Sequence, residues 1–551
     1  MSLKEYVITL HDYESLDSFY EDMETPGGTL YIPDRAIEVF NRRSISRNTH
    51  YMLTAEEADQ IKNDPRVLAI ELSMEELGRR FRPLGFLEDS EITVQPEWEQ
   101  TSNYFSKSIG ANSDMINWGL LRCTEGVQRA NWGSNGVSPS QSSTVKTTSS
   151  GKNVDVVIVD GHFDPAHPEF AVNPDGTGGS RVVQYNWFQH RAALGLGSNL
   201  TYSYGDYTGS DNGHGCHVAG TVAGNRQGWA RDATIYNISP YGTNPNGSDG
   251  YVYFMDYVRY FHRNKPINPA TGVKNPTVTN HSYGVTITDT IANIVEVRYR
   301  GTVYNAPISS SSLSSYGVYN NGTNVYLPTR SYSFEADYID AINDGVIIIA
   351  AAGNDYTRCN VYSFDVNDEY NDYVDVGYYR YYHHRGGISQ AAGVISVGAV
   401  GGLVDDSKAT FSNCGPAVDI YAPGRSIISS YNSSVVGDPR NPAYYLAKLS
   451  GTSMATPQVC GVLACLAEQW PTMRQDQAVA YLLQHAKIGQ LGGAAEGVPS
   501  DYYALQGSPN RFLYYYKERP TEGEVYPRKT QGARPSSGMV FPRPKIYSYG
   551  R

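Results

Sequence analysis

The sequence predicts an α/β protein, a mostly parallel β-sheet flanked by helices and preceded by a small α+β unit. Three observations predict it. Apolar runs at 152–160 and 345–354, and a segment at 277–284 that reads as a buried strand ending in a glycine, fit strands covered on both faces, as parallel strands in an α/β sheet are. Small-residue segments with helical spacing, after Gly213 and after Ser453, supply helices that can pack closely on such a sheet. Between Glu5 and Met74 the pattern runs strand, helix, strand, strand, helix, strand, which places two helices on one face of an antiparallel sheet.

In that first unit, 6–10 alternates as a strand, 16–23 has helical spacing, and 29–32 and 50–53 read as strands. Thr54-Ala55-Glu56-Glu57 opens a helix with an N-cap and early acids, and 67–72 closes the unit as a strand. The stretch 75–112 carries charge and turn residues with little periodicity, so it reads as a connecting segment that would contain any processing site. Residues 133–151, rich in Ser, Asn and Thr, read as an exposed loop.

The run at 152–160 ends in Asp160, a carboxylate at the rim where open α/β sheets place their functional groups; a plain strand-end cap is the other reading. His214 is expected just before a helix, where backbone geometry can aim it at a neighbouring strand end. The run at 345–354 ends Ala351-Ala352-Gly353-Asn354, small residues and then a polar side chain that would ordinarily form a turn. Ser453 stands among small residues at or just before a helix N-terminus, whose free N–H groups favour developing negative charge. That helix should run to about residue 468, with a second over 471–484. Beyond residue 517, Pro527, Pro535, Pro542 and Pro544 bar regular structure from a basic tail, whose partner the sequence does not name.

Composition limits the functions open to the chain. Its 551 residues allow one large domain and at least one small one, and 40% hydrophobic against 18% charged residues is the balance of a globular protein. A formal net charge of -12 argues against nucleic acid as a partner, since phosphate selects clustered Lys and Arg. Tyrosine, at 45 residues against 15 Phe, is concentrated in Tyr/Asn/Gly/Ser-rich insertions. The opening Met-Ser-Leu-Lys-Glu is too quickly charged for a signal peptide, and no window of about 18 apolar residues exists. The expectation is therefore a chain made without Sec-type export, cytoplasmic or virus-associated, with no membrane span. Six cysteines, too sparse for a disulfide framework and without zinc spacing, read as buried thiols. The insertion 355–385, with Asp365, Asp368, Glu369, Asp372 and Asp375, reads first as a solvated acidic loop and second as a calcium site or a surface for basic substrates.

Gly451-Thr452-Ser453-Met454-Ala455-Thr456-Pro457 resembles the nucleophile motif of the subtilisin-like serine proteases. Asp160 with Pro168-Glu169-Phe170, and Asn212-Gly213-His214-Gly215-Cys216-His217-Val218-Ala219-Gly220-Thr221, resemble that family's aspartate and histidine motifs, in the order Asp, His, Ser that subtilisin has. The resemblance implies a catalytic triad of Asp160, His214 and Ser453, an oxyanion-stabilising Asn354, and substrate-binding Ser282, Tyr283, Gly284, Ala351, Ala352 and Gly353, with His217 structural. It implies a serine endopeptidase acting on polypeptides, with no required cofactor and calcium unplaced.

The run 51–67 resembles the end of the family's inhibitory propeptide, a ferredoxin-like prodomain, which makes the N-terminal unit an intramolecular inhibitor and the chain a self-processing zymogen. The expected domains are a propeptide at 1–75, a linker at 76–113, a catalytic domain at 114–516 and the tail at 517–551. Gly161, His162 and Cys216 depart from the family pattern: His162 could compete for Asp160, and Cys216 could confer thiol sensitivity. Two other classes share these features, a catalytically silent structural or adhesive protein on the same fold, and an esterase or ligase with the same triad.

Overall fold

A computed structural model describes residues 2–33, 39–88, 99–100, 105–109, 117–125, 143–241, 253–329, 331–356, 372–382, 388–401, 406–433, 436–492 and 503–515. The expected C-terminal tail lies outside them.

The N-terminal unit is a four-stranded antiparallel sheet in the order Val39–Arg42, Asn48–Leu53, Lys4–Leu10, Val67–Leu72, with helices Leu16–Glu24 and Ala55–Ile61. Ile8, Leu10, Phe19, Met23, Tyr51, Leu53 and Ile61 make its core, each large side chain contributing about 1.5–3 kcal/mol by leaving water. Thr54 caps the second helix through a reciprocal capping box with Glu57. The strand expected at 29–32 is a turn instead, and Val39–Arg42 fills that place in the sheet. Gly27, at φ 95°, reverses the chain there, and Gly28 packs so tightly on the first helix that a β-carbon would lie 2.3 Å from the Asp22 carbonyl oxygen.

The large sheet has nine strands in the order Val182–Val183, Thr234–Ile238, Asp155–Val159, Thr277–His281, Ile347–Ala351, Ile395–Val400, Ile420–Pro423, Arg511–Phe512, Lys487–Ile488. All neighbours are parallel except the last pair. The alternation of a strand explains the apolar runs. Val156, Ile158, Ile347 and Ile349 enter one core, with helices Ser210–Ala223 and Thr452–Gln469, while Val157, Val159, Ile348 and Ala350 enter the core on the other face, with Phe254–Asn264 and Tyr332–Asp344. Both faces of these two strands are covered by apolar cores, so their runs show no period of two.

The N-terminal unit docks on the second pair of helices through buried charge. Arg43 reaches Asp256 at 2.8 and 2.9 Å and Asp337 at 2.5 Å, and Arg47 reaches Asp340 at 3.1 Å. Such a cluster is worth little beyond an apolar contact of the same size, but removing one member strands the rest, so it fixes the orientation of docking. Glu71 lies over the N-terminus of Tyr332–Asp344, accepting from Ser333 N at 3.1 Å and from the Ser331 and Ser333 hydroxyls at 2.7 and 2.6 Å. Burial alone would raise its carboxyl, yet Arg79 and these donors hold it below the ordinary carboxylate range.

From Glu71 the chain runs into the body of the protein. The segment expected to be an irregular linker forms strands Arg80–Pro83, antiparallel to Tyr283–Thr290, and Phe86–Glu88, antiparallel to Asn441–Ser450. Its partners come from distant parts of the chain, which is why no local period announces them.

Candidate active site

Asp160 follows the strand Asp155–Val159 and is fully buried at the sheet's C-terminal rim. Its Oδ1 accepts from Gly161 N at 2.8 Å and pairs with His214 Nδ1 at 2.9 Å. Burial pushes the Asp160 carboxyl above its usual range, and the His214 ring pulls it back. With Nδ1 carrying its proton toward Asp160, Nε2 is left as a base, and it has no hydrogen-bond partner.

His214 lies in the second turn of Ser210–Ala223 rather than before the helix. The strand end and this helix cross at backbone contact: a β-carbon on Gly161 would lie 1.9 Å from the Asp211 carbonyl oxygen, and one on Gly215 2.0 Å from the Gly161 carbonyl oxygen. This crossing sets His214 against Asp160 and accounts for glycine at 161. Gly161→Thr is expected to push the helix away and cost about 1–3 kcal/mol as overpacking does, read as a lower denaturation midpoint.

His162 does not compete for Asp160. Its Nε2 lies 2.8 Å from the Tyr202 hydroxyl and its ring packs on Tyr202 and Tyr204, where burial pulls it down to about 4 and keeps it neutral. The Cys216 thiol is buried and pushed up to about 12 by that burial, far from a reactive thiolate. Cys123, Cys414, Cys460 and Cys465 are likewise buried, and Cys359 lies outside the described residues. His217 holds the carbonyl oxygens of Ile427 and Ala447 at 2.8 and 3.2 Å.

Ser453 is the second residue of Thr452–Gln469. Pro457, four residues on, removes the amide that would bond the Ser453 carbonyl, and the Ser282 hydroxyl takes its place at 3.1 Å. The Ser453 hydroxyl donates to the Ser282 carbonyl oxygen at 2.8 Å, and it makes no hydrogen bond to His214 in this structure. Another stretch of chain lies against both residues: Ser453 N donates to the Leu84 carbonyl oxygen at 3.1 Å, and a β-carbon on Gly85 would lie 3.0 Å from His214 Nε2.

That chain is the segment from Arg80 to Glu88, and its Leu84 carbonyl oxygen accepts from Asn354 Nδ2 at 2.7 Å and Ser453 N at 3.1 Å. Asn354 is oriented for this, since its Oδ1 accepts from both the amide and the hydroxyl of Thr452 at 2.8 Å. Gly451 has to be glycine here: a β-carbon would come 2.3 Å from the Leu84 oxygen. Of the expected substrate-binding residues, Ser282 accepts from Leu84 N at 3.1 Å, and Tyr283 and Gly284 pair with Pro83 and Arg82. Gly353 donates instead to Thr452 Oγ1 at 3.2 Å, while the backbones of Ala351 and Ala352 are engaged by Val397 and Asn413.

The family model for the subtilase family matches residues 151–514, about two thirds of the chain and all four motifs above. The chain belongs to the subtilase family. This subtilase is similar to an extracellular serine proteinase of Thermus sp. (strain Rt41A), 28% identical over 305 residues, 55% of this chain and 50% of that protein. It is also similar to subtilisin-like protease 3 of Trichophyton tonsurans, 27% identical over 388 residues, 70% of this chain and 67% of that one. The chain thus spans half the length of the Thermus relative. The crystal structure of a cold adapted subtilisin-like serine proteinase aligns over 73% of this chain and 99% of that one, at 21% identity and a TM-score of 0.43.

Sequence reasoning missed Leu84 and the strands on either side of it. The one signal was Phe81, Pro83, Leu84, Phe86 and Leu87 close together in a stretch otherwise rich in charge. Among the described residues of this subtilase no cluster of His, Cys, Asp and Glu forms a metal cage, and no helix is long and apolar enough to cross a membrane. Of the acidic insertion, Asp372 is buried and Asp375 is bonded to Arg380, contrary to a solvated loop, while Asp365, Asp368 and Glu369 lie outside the described residues.

Proposed function

We propose that this subtilase is a serine endopeptidase made as a zymogen, with Asp160, His214 and Ser453 as its catalytic residues and its N-terminal unit as an intramolecular inhibitor. The observation that carries the reading is the Leu84 carbonyl oxygen between two donors, Asn354 Nδ2 at 2.7 Å and Ser453 N at 3.1 Å. Those donors suit the oxygen that becomes negative when a peptide carbonyl is attacked.

In the reaction the Ser453 hydroxyl turns from the Ser282 carbonyl to His214 Nε2 and attacks the carbonyl carbon. His214 takes the proton, Asp160 keeps the ring's tautomer and stabilises the imidazolium, and the oxyanion forms against Asn354 and the Ser453 amide. His214 then gives the proton to the leaving nitrogen as the C–N bond breaks. A water activated by the same ring releases the acyl group from Ser453.

Assaying the processed chain on casein and on small p-nitrophenyl esters tests the reading. Hydrolysis of casein is expected. Ester hydrolysis without casein hydrolysis would make it an esterase, and inertness toward both would leave a silent protein on this fold.

A further inference from the structure

We propose that Leu84–Gly85 is the bond this chain cuts in itself, and that its cleft takes extended polypeptides with an aromatic, a basic residue, proline and leucine before the cut and glycine directly after it. The proposal rests on the endopeptidase reading above and deepens it by naming the bond and the substrate class.

The register singles out the bond. On one side Arg80, Phe81, Arg82 and Pro83 pair with Thr286, Val285, Gly284 and Tyr283, and Leu84 N bonds the Ser282 carbonyl at 3.1 Å. On the other side Phe86, Leu87 and Glu88 pair with Ser450, Leu449 and Lys448. The chain is therefore held as an added strand on both sides of Gly85, and the link presented to the site is Leu84–Gly85. At that link the carbonyl oxygen meets Asn354 and the Ser453 amide, and the following residue lies beside the free nitrogen of His214. Attack joins Ser453 Oγ to the Leu84 carbonyl carbon and breaks the Leu84 C–Gly85 N bond. The serine proton passes through His214 to the Gly85 nitrogen, and water then frees the Leu84 carboxylate, leaving residues 1–84 and 85–551.

The side chains before the cut are each read. Phe81 packs edge-on against Tyr283 and Phe254 at 5.1 and 5.7 Å and against Phe334 at 5.7 Å. Arg82 lies over the Tyr319 ring at 4.7 Å, with Asp355 3.3 Å from its guanidinium, an arrangement that suits the planar cation. In an antiparallel ladder donors alternate in direction, so with Leu84 N facing Ser282 the nitrogen of residue 83 faces away from the partner strand and proline loses no bond there. Leu84 is 5% exposed.

Glycine after the cut is set by the catalytic base itself. A β-carbon on Gly85 would stand 3.0 Å from His214 Cδ2, His214 Nε2 and Met454 Sδ. A side chain there requires the His214 ring and Met454 to give by a few tenths of an ångström, and the ring is the group that must carry the proton, so the restriction acts on turnover more than on binding.

The test is N-terminal sequencing and intact mass of the full chain, with synthetic peptides as the second arm. Wild type is expected to yield a new terminus beginning Gly85-Phe86-Leu87, absent in Ser453→Ala. The processed enzyme is expected to cut the peptide Arg-Phe-Arg-Pro-Leu-Gly-Phe-Leu-Glu after leucine, and its glycine-to-valine version at least about 10-fold more slowly in kcat. The peptide arm does not depend on the folding of any variant. A new terminus elsewhere, or equal cutting of the two peptides, with casein hydrolysis intact, would overturn this proposal and leave the endopeptidase reading standing. No cut of chain, peptide or casein would overturn both.

Discussion

Ser453→Ala is expected to lower peptide-bond turnover by about 10⁶-fold, the size of loss known for the nucleophile of subtilisin, with residual rate from the oxyanion donors and binding. At 1.36 kcal/mol per decade that is about 8 kcal/mol of transition-state stabilisation. The fold should scarcely notice. The Ser453 hydroxyl makes one hydrogen bond, to the Ser282 carbonyl, and Leu84 N still satisfies that oxygen, so the stability change is about 1 kcal/mol. The uncut chain should therefore accumulate with a nearly unchanged denaturation midpoint. A variant that fails to accumulate would show that Ser453 is needed for folding rather than for chemistry.

Asn354→Ala is expected to reduce turnover by about 10²–10³-fold, the usual effect of losing one oxyanion donor. It also removes the acceptor that Thr452 N and Thr452 Oγ1 share at 2.8 Å, and a buried amide left unpaired costs about 1–3 kcal/mol. Asn354→Asp separates the two effects. The carboxylate keeps the acceptor for Thr452 but puts negative charge where the oxyanion forms, so the midpoint should recover while kcat falls at least as far as in the alanine variant. Parallel measurements of kcat on a processed preparation and of urea unfolding check both. Equal kcat for wild type and Asn354→Asp would remove the side-chain amide from the mechanism.

The large sheet was legible because strands buried on both faces leave apolar runs, as 155–159 and 347–351 do. Asp160, Ser453 and Asn354 stand at the ends of such runs or at a helix start, positions that chain order marks. His214 was legible as a residue but not as a helical one. Gly213 and Gly215 weaken local helix preference, and only tertiary packing explains why they are there, Gly215 against Gly161 and Gly213 against Tyr431 and Asn432. The cleft segment was the least legible part. Strands Arg80–Pro83 and Phe86–Glu88 pair with edges about 200 and 360 positions further on, and strand formation set by a remote edge leaves no period in the sequence. At 29–32 the reason is local instead: a plausible strand composition lost to the turn at Gly27.

The proposed chemistry requires Ser453 to be the nucleophile of an Asp160–His214 pair. Treating the processed chain with a fluorophosphonate and locating the adduct by peptide mass mapping measures this directly. A single adduct on Ser453, abolished in His214→Ala, is the predicted result. An adduct on any other residue, or none while casein hydrolysis continues, would contradict it.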